Sequence, residues 1–191
     1  MREFCYMGSK NIVLLGDSAV GKTSLISRFH SGEFGEDYNP TIGKQVVEKE
    51  TPVEIEGFPL HINFMVWDII GQKGYVYSQT TSFYNAKGAL MVCDLTRKET
   101  LDSILSYWIP LTLRVLGPVP MVFLGNKCDL EEEAEFGLQE LRDMADKCQS
   151  FAVGRDCHMV SAKTGENVDE AFQSLGRHLM KKYVPAKLGV D

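Results

Sequence analysis

The 191 residues carry 20 Lys and Arg against 26 Asp and Glu, a formal net charge of -6, and 44% of them are hydrophobic. That length suits one domain with a core of ordinary size; the acidic balance excludes the basic footprint of a nucleic-acid binder, and no apolar run approaches the ~18 residues that cross a bilayer. Five cysteines without a C-x-x-C pair and four histidines without ligand spacing predict free thiols, structural histidines and a reducing, cytoplasmic setting.

The first strand is expected over Asn11 to Leu15, a short run rich in branched apolar residues. Gly16-Asp-Ser-Ala-Val-Gly-Lys-Thr23 follows, and Leu25, Ile26 and Phe29 then recur at helical spacing. A G-x-x-x-x-G-K-[ST] segment between a strand and a helix is a phosphate loop: its glycines let backbone N–H groups crowd phosphate oxygens, and the helix dipole adds positive charge. Asp17, Ser18, Ala19, Val20, Gly21, Lys22, Thr23 and Ser24 are therefore the candidate phosphate contacts. Lys22 is to reach the β and γ phosphates, and the Thr23 hydroxyl is to bind magnesium.

Tyr38-Asn-Pro-Thr-Ile-Gly43 lies in the loop after this helix. Thr41 offers a hydroxyl to magnesium and an N–H to the γ phosphate, which makes the loop a switch; Tyr38 is counted among the nucleotide contacts. Strands are expected over Lys44 to Ile55 and Leu60 to Trp67, joined by Glu56-Gly-Phe-Pro59 into a hairpin with one antiparallel edge strand. The second of them ends in Trp67-Asp-Ile-Ile-Gly-Gln72. Asp68 there is a candidate magnesium ligand, Gly71 offers an N–H to the γ phosphate, and Gln72 orients the attacking water.

Further strands are expected over Ala89 to Cys93, Met121 to Gly125 and His158 to Val160. Asn126-Lys-Cys-Asp129 follows the fifth. A carboxylate at Asp129 accepts two hydrogen bonds from guanine and finds no such pair on adenine, so GTP is favoured over ATP; an ATP-using kinase or ATPase is thereby disfavoured. The stem of Lys127 covers a face of the base, Phe34 an edge, and Ser161-Ala162-Lys163 completes the pocket. Glu131-Glu-Glu133 reads as a solvated loop or helix start. Val168, Ala171, Phe172, Leu175 and Leu179 mark a closing amphipathic helix that Asn167 can cap.

Taken together, these five motifs resemble the small GTPases of the Ras superfamily, over about residues 10–183 of a single domain spanning 1–191, and the branch they resemble is Rab, as a divergent member. The resemblance implies an α/β G domain with the P-loop NTPase fold, a six-stranded mixed sheet and five helices. It also implies GTP/GDP and Mg2+ as ligands, with Thr23, Thr41 and Asp68 at the metal and Gln72, Lys22, Thr41 and Gly71 as the catalytic set. Slow hydrolysis and effector, exchange-factor and GTPase-activating partners at two switch loops follow from it, with a monomer expected.

Three departures from the family pattern stand out. Ile69 and Ile70 replace the usual Thr-Ala, so Ile70 is expected to crowd the second switch. Lys73 reverses a usual acidic charge, and Lys44-Gln45-Val46 replaces Val-Asp-Phe. A second class of function, a nucleotide-stabilised scaffold with little turnover, stays open on these grounds. The last cysteine is Cys157, so no lipid anchor is visible: either the protein works without one, or the segment bearing it lies beyond Asp191.

Overall fold

The computed structural model describes residues 5–34, 45–55, 57–69, 83, 85–148 and 154–183. Strands β1 (Cys5–Leu15), β2 (Gln45–Ile55), β3 (Phe58–Asp68), β4 (Gly88–Asp94), β5 (Met121–Asn126) and β6 (Cys157–Val160) form one six-stranded sheet in the order β2-β3-β1-β4-β5-β6. All neighbours run parallel except β2 and β3. The mixed sheet with one antiparallel edge strand is thus present. Ile55 pairs with Phe58, and Gly57 just before Phe58 has φ 81°. Phe58 and Pro59, expected in the turn, belong to β3.

β1 begins six residues before the apolar run that announced it. Its early part pairs with β3 from Cys5 opposite Leu60, then shifts register between Tyr6 and Ser9, around Gly8 at φ 73°. A bulge of this kind breaks the alternation by which a strand is recognised. Downstream, alternate side chains of β1 enter different layers. Ile12 and Leu14 join a core with Leu25 and Phe29 of helix α1 (Lys22–Ser31) and Phe172 and Leu175 of the closing helix α4 (Val168–Tyr183). Val13 and Leu15 face the opposite core, with Leu101, Trp108, Leu141 and Met144. A sheet covered on both faces explains why β4 and β5 are buried at every position.

The opposite layer consists of α2 and α3 (Leu138–Asp146). Helix α2 is one run in three parts: α-helix over Lys98–Ser103, a π turn over Ile104–Trp108 and α-helix again over Ile109–Leu116. Glu131–Glu133 forms a 3-10 turn, which brings the helical elements among the described residues to five: four helices and this turn. On the other layer, Phe29 and Phe172 stack at 3.6 Å with an interplanar angle of 2°, and Phe64 tilts against both. Asn167 stands just before α4 at φ 55°, its Nδ2 donating to the Met159 carbonyl at 2.9 Å, which ties the helix start to β6.

Candidate functional site

Five strands deliver their carboxyl ends to one rim. β1 passes from Leu15 into the phosphate loop, β3 ends in Asp68, β4 in Asp94, β5 in Asn126, and β6 runs from Val160 into Ser161. The neighbours of β1 are β3 on one side and β4 on the other, so the direction of winding reverses there. Open α/β sheets hold ligands in the crevice at such a point.

The two loop glycines are required by close approach within the protein. A Cβ on Gly16, at φ 153°, would lie 2.1 Å from the Val92 carbonyl oxygen; one on Gly21, at φ 94°, would lie 2.2 Å from Asn126 Nδ2. Their absence lets the loop sit against β4 and β5. Lys22 opens α1 and is only 7% exposed. Its ammonium donates to the Gly16 carbonyl at 2.9 Å and the Asp17 carbonyl at 2.8 Å. Burial pulls its pKa from 10.5 down to about 8, against the opposing pull of Asp68 and Asp17. Both of these acceptors are neutral carbonyls, so a phosphate beside Lys22 suits the site: it supplies the counter-charge that burial makes costly to lack.

Next to it, Thr23 Oγ1 donates to Asp68 Oδ2 at 2.6 Å, and Asp68 is 1% exposed. A hydroxyl and a carboxylate meeting beside a phosphate loop are the hard oxygen donors that magnesium takes. Asn126, which the family resemblance assigns to the base, also holds the protein's own backbone. Its Nδ2 donates to the Val20 carbonyl at 2.8 Å and its Oδ1 accepts from the Ala162 N–H at 3.1 Å, so it braces the phosphate loop against the segment after β6. Ser161 Oγ donates to Asp129 Oδ1 at 2.5 Å, which fixes the carboxylate expected to read the base. Lys127, at φ 68°, sets its ammonium 2.6 Å from Asp94 Oδ2.

The rim loops therefore bring together Asp17 to Ser24, Asp68, Asn126, Lys127, Asp129, Ser161, Ala162 and Lys163. Phe34 is half-buried against the core between the sheet and helices α1 and α4. Tyr38, Thr41, Gly71 and Gln72 lie outside the described residues, as do Ile70 and Lys73. Four residues of the site were not singled out from the sequence. Arg28 donates Nε to the Ala162 carbonyl at 2.9 Å and Nη2 to the Lys163 carbonyl, holding the base-side loop from α1. Asp94 is fully buried; burial alone would raise its carboxyl, but hydrogen bonds from Lys127, Thr96 and Arg97 outweigh that and hold it below the ordinary range. Arg97 and Trp108 reach the phosphate loop itself. Only Asp94 left a trace in the sequence, as a carboxylate ending an apolar strand in the manner of Asp68.

The sequence pattern of the Ras family matches residues 11–181. The chain belongs to the Ras family. Ras-related protein Rab-13 of Mesocricetus auratus is 36% identical over 171 residues, 90% of this chain and 80% of that protein. GTP-binding protein ypt2 of Schizosaccharomyces pombe is 31% identical over 176 residues, covering 92% and 84%; RABA5b of Arabidopsis thaliana is 36% identical over 181 residues, covering 94% and 79%. The chain is thus a Rab-like Ras-family GTPase, a family whose members bind guanine nucleotide. Among the described residues of this Ras-family chain no helix is long and apolar enough to cross a membrane.

Proposed function

We propose that the chain is a GTP/GDP switch with a Rab-like trafficking role, binding magnesium with its nucleotide and hydrolysing GTP slowly. The observation that carries this reading is the meeting, at one rim, of a buried ammonium on the phosphate loop, the Thr23–Asp68 oxygen pair and the Ser161–Asp129 pair. Lys22 would hold β and γ phosphate oxygens, and Thr23, Asp68 and Thr41 would hold magnesium. When bound, magnesium neutralises charge building on those oxygens. Asp129, oriented by Ser161, would accept the two guanine donors, while Gly71 and Gln72 would serve the γ phosphate and the attacking water. The loops around Thr41 and Gln72 would carry the nucleotide state to effectors, exchange factors and activating proteins.

Slow turnover follows from the lack of an arginine within the phosphate loop or near Thr41. An arginine finger is worth about 10³ to 10⁵ in rate. Arg97 does come to the loop across the fold, but its guanidinium is bonded to the Ser18 carbonyl and to Asp94. Two measurements test the proposal. Denaturing the purified protein should release guanine nucleotide, and added ATP should not compete with GTP for binding. Single-turnover hydrolysis should be slow and should speed up in Ile70→Ala if that side chain crowds the second switch. GTP retained intact through a long incubation, in both proteins, would instead favour the scaffold reading.

A further inference from the structure

The phosphate loop is held from a side that its own motif does not specify. Arg97 stands immediately before α2; its Nη2 donates to the Ser18 carbonyl at 3.1 Å and its Nε to Asp94 Oδ2 at 3.0 Å. Further along the same helix, Trp108 ends the π turn, and its Nε1 donates to Asp17 Oδ1 at 2.8 Å. Both anchors are tied into the fold. Trp108 is 0% exposed, and Asp94, at the end of β4, also carries the Lys127 ammonium at 2.6 Å.

Consecutive loop residues, Asp17 and Ser18, are thus fastened to the π turn of α2 and to the residue that precedes the helix. The need for fastening is physical: Gly16, Ala19 and Gly21 all have positive φ, and a loop with two glycines in such conformations loses much entropy when it is ordered. A π turn inserted in a helix re-aims the side chains that follow it, and such turns concentrate at functional sites. Here the residue that closes the turn is a tryptophan whose polar edge meets the loop.

We propose that Arg97 and Trp108 are positioning residues: they hold the phosphate loop in its anion-binding shape before nucleotide arrives, and so slow nucleotide release. Asp94 links this grip to the base side, because one buried carboxylate serves both Arg97 and Lys127. Ordering a loop in advance removes part of the cost of binding. The effect rests on the guanine-nucleotide reading, but the grip itself belongs to the free protein.

Three variants separate positioning from packing. Arg97→Gln removes the fork, Arg97→Lys keeps charge without the fork, and Trp108→Phe keeps a ring without its N–H donor. Release of fluorescent GDP into excess unlabelled GDP should quicken by about tenfold in Arg97→Gln, as loss of a charge-assisted hydrogen bond implies. Trp108→Phe should quicken it by about tenfold as well, since a bond to a carboxylate is also charge-assisted. In nucleotide-stripped protein, amide exchange over Asp17 to Val20 should accelerate in both variants, with the amides of α4 unchanged. Arg97→Lys should stay close to Arg97→Gln. Unchanged loop exchange and unchanged release in folded Arg97→Gln would overturn the proposal, as would full recovery by Arg97→Lys, which would leave only a charge effect. Failure of the parent protein to take up labelled GDP would sink the nucleotide reading instead, while the amide-exchange arm would still judge the grip.

Discussion

Asp129 presents one oxygen to Ser161 at 2.5 Å, and that single bond sets how the carboxylate faces the pocket. Asp129→Ala is expected to lower GTP affinity by about 10²- to 10⁴-fold, since two charge-assisted bonds to the base are lost together. Calorimetric titration with GTP, with ATP as a control that should not change, reads that outcome. Asn126→Ala should act differently, through the fold as well as the ligand. It would strand the Val20 carbonyl and the Ala162 N–H, each a buried group whose desolvation costs about 1–3 kcal/mol. A lowered urea midpoint in nucleotide-stripped protein would show it. Lys22, Thr23, Asp68 and Asp129 were legible beforehand because their chemistry needs a fixed spacing within a short stretch of chain. Arg28, Arg97 and Trp108 were not, because each meets its partner across 134, 79 and 91 residues, a separation that leaves no local pattern.

At the scale of elements, α4 approaches β2 closely at Gly176. A Cβ there would come within 2.6 Å of Val53 Cγ1 and 3.4 Å of the Phe64 ring. In an open helix Gly→Ala gains about 1 kcal/mol. At this contact overpacking costs about 1–3 kcal/mol, so Gly176→Ala should lower stability, seen as a fall in the denaturant midpoint at constant slope. The strands themselves were readable because burial on both faces demands unbroken apolar runs, as in β4 and β5. Helices α2 and α3 had no residues assigned from the sequence, and two finer features also escaped. The first part of β1 is hidden by its bulge at Gly8, and the π turn in α2 is invisible to a search for 3.6-residue periodicity. The turn matters most, because Trp108 stands at its end.

Across the whole molecule, the sheet divides two apolar layers, and the described thiols, those of Cys93, Cys128, Cys148 and Cys157, fall within or beside one of them. Burial pushes Cys148 up to about 11 and Cys157 up to about 12, and Cys93 higher still. An unfolded chain releases these protons near 9, the native protein only well above that. Their contribution to stability is therefore intact below pH 9 and is lost as pH climbs from there toward 11–12, because the unfolded state then binds fewer protons. Urea midpoints measured at stepped pH should fall over that window, and less steeply in Cys148→Ala. The sequence contains two tryptophans: Trp67, half-buried beside Asp68, and Trp108, hydrogen-bonded to Asp17. Intrinsic emission thus comes from two lamps in one apolar layer, of which Trp108 alone is wired by its N–H to the phosphate loop. A change in that one bond should be observable in native material, label-free, and replacing Trp67 isolates the signal of Trp108.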